Sequence, residues 1–350
     1  MKTSGLSLLA VVAWALVLAP SATQAAAQEV SGQERAEQAG SGLLGSPAPR
    51  RVLRTIDGQT IGLASLYGKK AVYLKFWATW CTPCRQQMPH FEHTFETAGP
   101  DLAVIAVNIG VSDSLEEVIK VRKEFALTMP IVIDDGSLAA AFNLRVTPQH
   151  IVIGRSGRVE YVGHLADDRL NAALVAARTS RPEPGRSVKV VDVKDARQLE
   201  VGGRLPDLAA TTLDGGHFRV LDPSDGRPTV LVFFMSSCES YLATRRPATA
   251  EACRQVREQV EGLAGSNPRV RWLGIASGVW TTEDELKAYR DRYRAPIPLT
   301  LDGSGVLFHA FHVRTIPTLV IADSHGVIVR RVEGFDRDLA GQFQPLVAVE

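Results

Sequence analysis

The sequence predicts an α/β protein built from two tandem domains, each a central mixed β-sheet flanked by helices. Three observations predict it. The chain has 350 residues, enough for two domains of ordinary size. A set of landmarks occurs twice in the same order: Pro49, Asp57-Gly58, Cys81, Pro148 and Gly157, then Pro206, Asp214-Gly215, Cys238, Pro317 and Gly326. In both halves eight positions separate the first proline from the aspartate, 24 separate that aspartate from the cysteine, and nine separate the later proline from the glycine. Between the landmarks, apolar runs of strand length alternate with polar amphipathic stretches. A hydrophobic content of 45% and a charged content of 22% suit a soluble globular chain. The formal net charge is +1 and there is no polybasic run, so nothing global points to nucleic acid or anionic membranes.

The elements follow in order. Lys2, the apolar stretch Leu6 to Leu18 and the small residues Ala22, Ala25, Ala26 and Ala27 form a signal-peptide pattern over residues 1–27, with cleavage after Ala25 or Ala27. Its apolar part is too short to favour a spanning helix. An uncleaved N-terminal anchor is the alternative. Cleavage removes Lys2 and brings the net charge to about zero. Residues 28–44 are polar, small and Gly-rich and read as a flexible leader. The first domain is expected over 45–178. Asp57-Gly58 is its hairpin turn, and Ala71–Trp77 and Ala103–Ile109 are its buried strands. Leu115–Phe125 is a helix, and "QHIVIG" and "VEYVG" form a closing hairpin. The Pro- and Gly-rich "TSRPEPGRS" opens a linker over 179–201, in which Val188–Val193 is β-prone. The second domain, 202–350, repeats the scheme. Its turn is Asp214-Gly215, its strands Thr229–Phe234 and Val270–Ala276, its helix Glu283–Arg292, and its hairpin "TLVIAD" with "VIVRRVEG".

The chemistry lies in Cys81-Thr82-Pro83-Cys84, placed directly after a strand and at the opening of a helix. Unpaired N–H groups at a helix start favour an anion, so the first thiol is held as its thiolate, the species that attacks disulfides. A second thiol one turn on reaches the resulting mixed disulfide. Pro83 suits the first turn, where its missing N–H was unpaired anyway. A zinc site needs about four ligands, and only His90 and His93, on the same predicted helix, lie near. Both are expected to be exposed. Haem attachment needs a histidine after the second cysteine, where this chain has Arg85. No metal and no small-molecule cofactor is expected.

"FWATWCTPCRQQMP", with "GSPAP" upstream and "VTP" downstream, resembles the TlpA/ResA-like thioredoxin family of exported or membrane-tethered thiol–disulfide oxidoreductases. The likeness covers about Gly45 to Arg178 well and the second half weakly. It implies a thioredoxin-like fold in each half. It also implies that Cys81 is the nucleophile, that Cys84 resolves, that Trp80 shields the pair, and that Trp80, Thr147 and a cis Pro148 bind the partner chain. Pro317 would be the corresponding cis-proline of the second half. The implied partners are substrate protein thiols or disulfides and a membrane thiol-electron carrier. Two departures stand out. Many members carry a buried acid where this chain has Lys75. A carboxylate there relays the proton of the resolving thiol, which a lysine does only if its pKa is depressed. Lys75 is expected instead to point outward, its stem passing the apolar strand, with Glu92 as a substitute acid. Val111 stands where the family often has glutamate.

In the second half Cys238 takes the place of Cys81, Ser237 that of Trp80 and Tyr241 that of Cys84, so dithiol exchange is absent there as written. The cysteine-to-proline interval is 12 residues longer, which enlarges either the helix after Cys238 or the loop "SGVWTTED". Cys253 lies 15 positions after Cys238, about 22 Å along a straight helix. A disulfide needs Cα atoms within roughly 7 Å. The two therefore pair only if the chain turns back near Pro247, and a bridge of that kind is expected as a structural staple. A two-centre relay through Cys238 and Cys253 is the other reading of it. A peroxidase role for Cys238 is disfavoured by Leu231 and Met235 at the family's proline and threonine places. The expected function is an exported, periplasmic or extracytoplasmic disulfide reductase whose second domain binds or positions substrate. The rival is a non-enzymatic scaffold of paired domains.

Overall fold

The structure, a computed structural model, describes residues 30–181, 199–341 and 343. The expected signal peptide and the expected strand Val188–Val193 lie outside the described residues. In the first half the elements are α1 (Gly32–Gly40), β1 (Val52–Arg54), β2 (Thr60–Gly62), α2 (Leu63–Leu66), β3 (Ala71–Trp77), α3 (Thr82–Gln86) and α4 (Met88–Glu96). They continue as β4 (Leu102–Asn108), α5 (Leu115–Glu124), β5 (Ile131–Ile133), α6 (Ser137–Ala141), β6 (Gln149–Ile153), β7 (Val159–Gly163) and α7 (Asp168–Thr179). The second half has β8 (Ala209–Thr211), β9 (His217–Arg219), β10 (Thr229–Phe234), α8 (Cys238–Tyr241), α9 (Pro247–Ser266) and β11 (Arg271–Ser277). It continues with α10 (Glu283–Tyr293), β12 (Leu299–Asp302), α11 (Val306–Ala310), β13 (Thr318–Ala322) and β14 (Ile328–Glu333).

Each half has one five-stranded mixed sheet, in the orders β5-β4-β3-β6-β7 and β12-β11-β10-β13-β14. The central strand pairs parallel with one neighbour and antiparallel with the other in both sheets. A small hairpin precedes each sheet, β1 with β2 and β8 with β9, turning at the two Asp-Gly pairs. β3 and β10 are buried along their whole length, as central strands covered on both faces must be. The extra residues of the second half sit in α9, which is 20 residues long against nine for α4. One hydrophobic cluster fills the first half around Tyr73, Phe76, Trp77, Phe91 and Phe142. It runs on into Met235, Cys238, Leu242, Cys253 and Ile316 of the second half.

Three expectations are corrected. The leader is not flexible, because residues 32–40 form α1. Ser31 accepts from the Glu34 N–H while the Glu34 carboxylate accepts from the Ser31 N–H, a capping box that starts the helix. Ala36 and Ala39 are buried, and small side chains let α1 lie close on β7. The second half is docked before residue 202 is passed: Leu199 packs in its core, and the Gly202 N–H donates to Ile328 O at 2.7 Å. Lys75 does not point outward. It is 0% exposed, its Nζ has no hydrogen-bond partner among the described residues, and it lies 5.1 Å from the Phe91 ring centroid. A central strand covered on both faces leaves its stem no route to water. Burial pushes the ammonium down to about 7.

Lys75 thus titrates lower in the native chain than at its ordinary 10.5, so the unfolded chain binds more protons between those values. Its burden on stability is full below pH 7 and is relieved as pH rises, with a limiting slope of about 1.4 kcal/mol per pH unit. Lys75→Met is expected to stabilise the protein near neutral pH by several kcal/mol, with the gain shrinking toward pH 10. Urea titrations at neutral and alkaline pH measure this, and an equal gain at both would contradict it. A second prediction concerns α1. A Cβ at Gly32 would stand 2.5 Å from His164 Nε2, on a ring held by Pro148 O at 2.7 Å from Nδ1. Gly32→Ala is expected to cost about 1–3 kcal/mol by overpacking, despite the better helix propensity of alanine. Denaturant midpoints at a fixed pH check it.

Candidate active site

Cys81 is the N-cap of α3, and Cys84 lies within its first turn. The two are joined by a disulfide with S–S 2.02 Å and Cα–Cα 5.2 Å. The Cys84 N–H donates to Cys81 Sγ at 3.1 Å, so a helix-start donor already faces the sulfur that would carry negative charge. Pro83 occupies the first turn, where no intrahelical donor is lost. Behind the pair, Thr147-Pro148 is a cis peptide, and Thr147 O lies 3.3 Å from Cys81 Sγ. Trp80 is 3% exposed and its Nε1–H donates to Val111 O at 2.9 Å.

A buried carboxylate braces this corner. Asp113 accepts from the Thr79 N–H at 2.8 Å, from Thr79 Oγ1 at 2.5 Å and from Asn108 Nδ2 at 2.7 Å. Burial pushes its carboxyl above the usual range, while these donors and the Arg246 guanidinium pull it down. Arg246 comes from the second half. It donates to Asp113 Oδ1 at 3.1 Å and to Thr79 Oγ1 at 2.6 Å, and it pairs with Glu117.

The sequence signalled neither Arg246 nor the cover it belongs to. Tyr241 packs edge-on to Trp80 at 6.2 Å and stacks on Trp280 at 6.2 Å. Arg245 Nε donates to Thr82 Oγ1 at 3.2 Å. The Trp280 indole N–H donates to Thr147 Oγ1 at 3.0 Å, its backbone N–H donates to Arg145 O at 2.8 Å, and its ring meets His164. Loops of the two halves exchange the same bonds about an approximate two-fold. The Ser112 N–H donates to Arg314 O at 2.6 Å as that of Trp280 does to Arg145 O, and both donors have positive φ. The Ile316 N–H, just before the second cis-proline, donates to Ser112 Oγ at 3.2 Å. The guanidinium of Arg314 lies where a Cβ at Gly110 would stand, and Gly110 has a φ of +64°, a conformation glycine adopts freely. Beneath these loops Cys81, Cys84, Thr147 and Pro148 are all buried.

Pro317 is cis, and Cys238 and Cys253 are bridged with Cα–Cα 6.3 Å. The chain turns back between α8 and α9, with Pro247 at the first position of the new helix. Glu92 is occupied elsewhere, accepting from the Thr128 N–H at 3.0 Å and from its hydroxyl. His93 is exposed, but His90 is half-buried with its Nε2 against Asn171 Oδ1 at 3.3 Å. Among the described residues, no three His, Cys, Asp or Glu side chains are placed to hold a metal ion. The double arginine of "TRRP" and the tryptophan of "SGVWTTED" were visible in the sequence, but nothing local indicates which surface they meet.

A family model described as the AhpC/TSA family matches residues 44–162. The thioredoxin-like protein YneN of Bacillus subtilis is 34% identical over 133 residues, which cover 37% of this chain and 78% of YneN. The thiol-disulfide oxidoreductase ResA of Geobacillus kaustophilus is 34% identical over 121 residues, covering 34% of this chain and 68% of ResA. Among solved structures, a thiol:disulfide interchange protein of Chlorobium tepidum is 28% identical with a TM-score of 0.35, covering 38% of this chain and 96% of that one. The family model falls on the half that holds Cys81 and Cys84. Kinship at this level with YneN and ResA makes the chain a member of their family, the thioredoxin-like thiol–disulfide oxidoreductases.

Proposed function

We propose that the chain is exported and reduces disulfides of other proteins through Cys81 and Cys84. The observation that carries this reading is the Cys84 N–H aimed at Cys81 Sγ from 3.1 Å. In the reduced form that donor favours the Cys81 thiolate, which attacks one sulfur of a substrate disulfide. The substrate's other sulfur leaves as a thiolate and takes a proton. The Cys84 thiol, once deprotonated, attacks Cys81 Sγ, frees the second substrate sulfur and closes the Cys81–Cys84 disulfide. Two electrons have then passed to the substrate, and a membrane thiol carrier returns them. Trp80, Thr147 and Pro148 are the surfaces assigned to the partner chain. The second half positions that chain through the groove between Thr82, Lys120, Tyr241 and Arg245 beside the pair. Dithiol exchange needs no metal and no small-molecule cofactor. The chain works outside the cytoplasm, released or held by its N-terminus; no described helix is long and apolar enough to cross a membrane.

Insulin reduction driven by dithiothreitol tests the reading. Cys81→Ser is expected to reduce the rate to background. Cys84→Ser should instead accumulate a mixed disulfide between Cys81 and substrate, visible on non-reducing gels. Retained activity in Cys81→Ser would favour a scaffold. The direction of flow is read from the potential of the Cys81–Cys84 couple: about −300 mV supports reduction, and about −120 mV would make the protein an oxidant.

A further inference from the structure

Between the two cysteines of the second bridge lie the residues with which the α8–α9 hairpin covers the first. Tyr241 sits on Trp80, Arg245 on Thr82, and Arg246 on Thr79, Asp113 and Glu117. Cys238 opens α8, and Cys253 lies in the second turn of α9. Their disulfide therefore closes a ring around the segment that carries these contacts. The two bridges also differ in surroundings. All four cysteines are buried, Cys81 and Cys84 at 0%, Cys238 at 1% and Cys253 at 8% exposure. Cys238 and Cys253 line a partly open pocket together with cis Pro317, and its walls, such as Phe234, Arg257 and Tyr289, belong to the second half alone. The pocket gives the second bridge an approach of its own, within the second half.

We propose that Cys238–Cys253 is a second redox site, a latch that holds the α8–α9 hairpin over Cys81–Cys84 and lets go when a dithiol reduces it. This regulatory role rests on the reading that Cys81 and Cys84 serve protein substrates. The step balances as thiol–disulfide exchange. A thiolate of the dithiol attacks one sulfur of the bridge, and the other sulfur leaves and takes a proton. The dithiol's second thiolate then attacks the mixed disulfide and releases the second cysteine, which is protonated in turn. The latch gains two electrons and two protons, and the dithiol ends as a disulfide. With the ring open, Tyr241, Arg245 and Arg246 are no longer held in one arrangement, and the fraction of molecules with an uncovered site rises. Reaction at Cys81–Cys84 scales with that fraction.

The test follows reduction of Cys81–Cys84 in the full chain by dithiothreitol, using timed alkylation and peptide mass spectrometry to score each cysteine separately. In the native chain, Cys238 and Cys253 are expected to become alkylated before Cys81 and Cys84. In Cys238→Ser/Cys253→Ser, reduction of Cys81–Cys84 is expected to be about tenfold faster than in the native chain. Arg246→Glu leaves the bridge in place but breaks the hold on Asp113 and Glu117, and it should give a similar acceleration. This variant keeps the test decisive if the double variant fails to fold. Rates within a factor of two across folded variants would overturn the proposal, as would loss of the Cys81–Cys84 bridge before Cys238–Cys253. A disulfide between Cys81 and Cys238 or Cys253, trapped in Cys84→Ser, would replace the latch with a relay and also overturn it. Insulin is absent, so failure of the reductase reading leaves this readout unaffected.

Discussion

Two cis-proline loops turned toward each other hold the molecule together. The loop before a cis-proline presents backbone carbonyls and a free edge, and in a lone domain water would satisfy them. Here Arg145 O and Arg314 O are each met by an N–H from the opposite half, and Thr147 Oγ1 is met by the Trp280 indole. A buried hydrogen bond contributes about 1 kcal/mol net, but stranding one partner costs about 1–3 kcal/mol. The joint is therefore held less by the sum of its bonds than by the penalty for breaking any of them without letting water in. Such an interface favours two states, fully joined or fully parted.

The charged contacts beside that joint act as register marks. Arg246 meets an Asp113 carboxylate whose side chain is fully buried, and desolvation offsets much of that attraction. Its geometry matters more than its strength, because Thr79, Asn108 and Arg246 together leave the carboxylate one arrangement. The Thr79 backbone, one residue before Trp80, is fixed by this anchor. A residue of the second half thereby helps to set the conformation of the loop that leads into Cys81.

Much of the fold was legible in the sequence because the chain states it twice. The spacings around Asp57, Cys81 and Pro148 recur at Asp214, Cys238 and Pro317, and local turn chemistry and apolar runs mark the same strands in both halves. The CxxC pair was legible because its chemistry is local, one sulfur at a helix start and one a turn later. What escaped was tertiary. A Gly-rich, polar stretch reads as a leader until Ala36 and Ala39 are seen to have β7 beneath them. Lysine in an apolar run reads as an outward residue, since sequence does not reveal that both faces of β3 are covered. Nor does "TRRP" disclose that its arginines meet residues more than a hundred positions earlier.

The helix at the start of the described chain has a consequence in time. Arg35 of α1 pairs with Glu285, 250 positions later, and its guanidinium lies 5.9 Å from the Trp280 ring centroid. During synthesis the first sheet can form as soon as β7 has emerged, yet α1 lacks these partners until α10 is made. The first of the described helices is thus among the last to gain its full set of contacts, and its docking reports that both halves are in place.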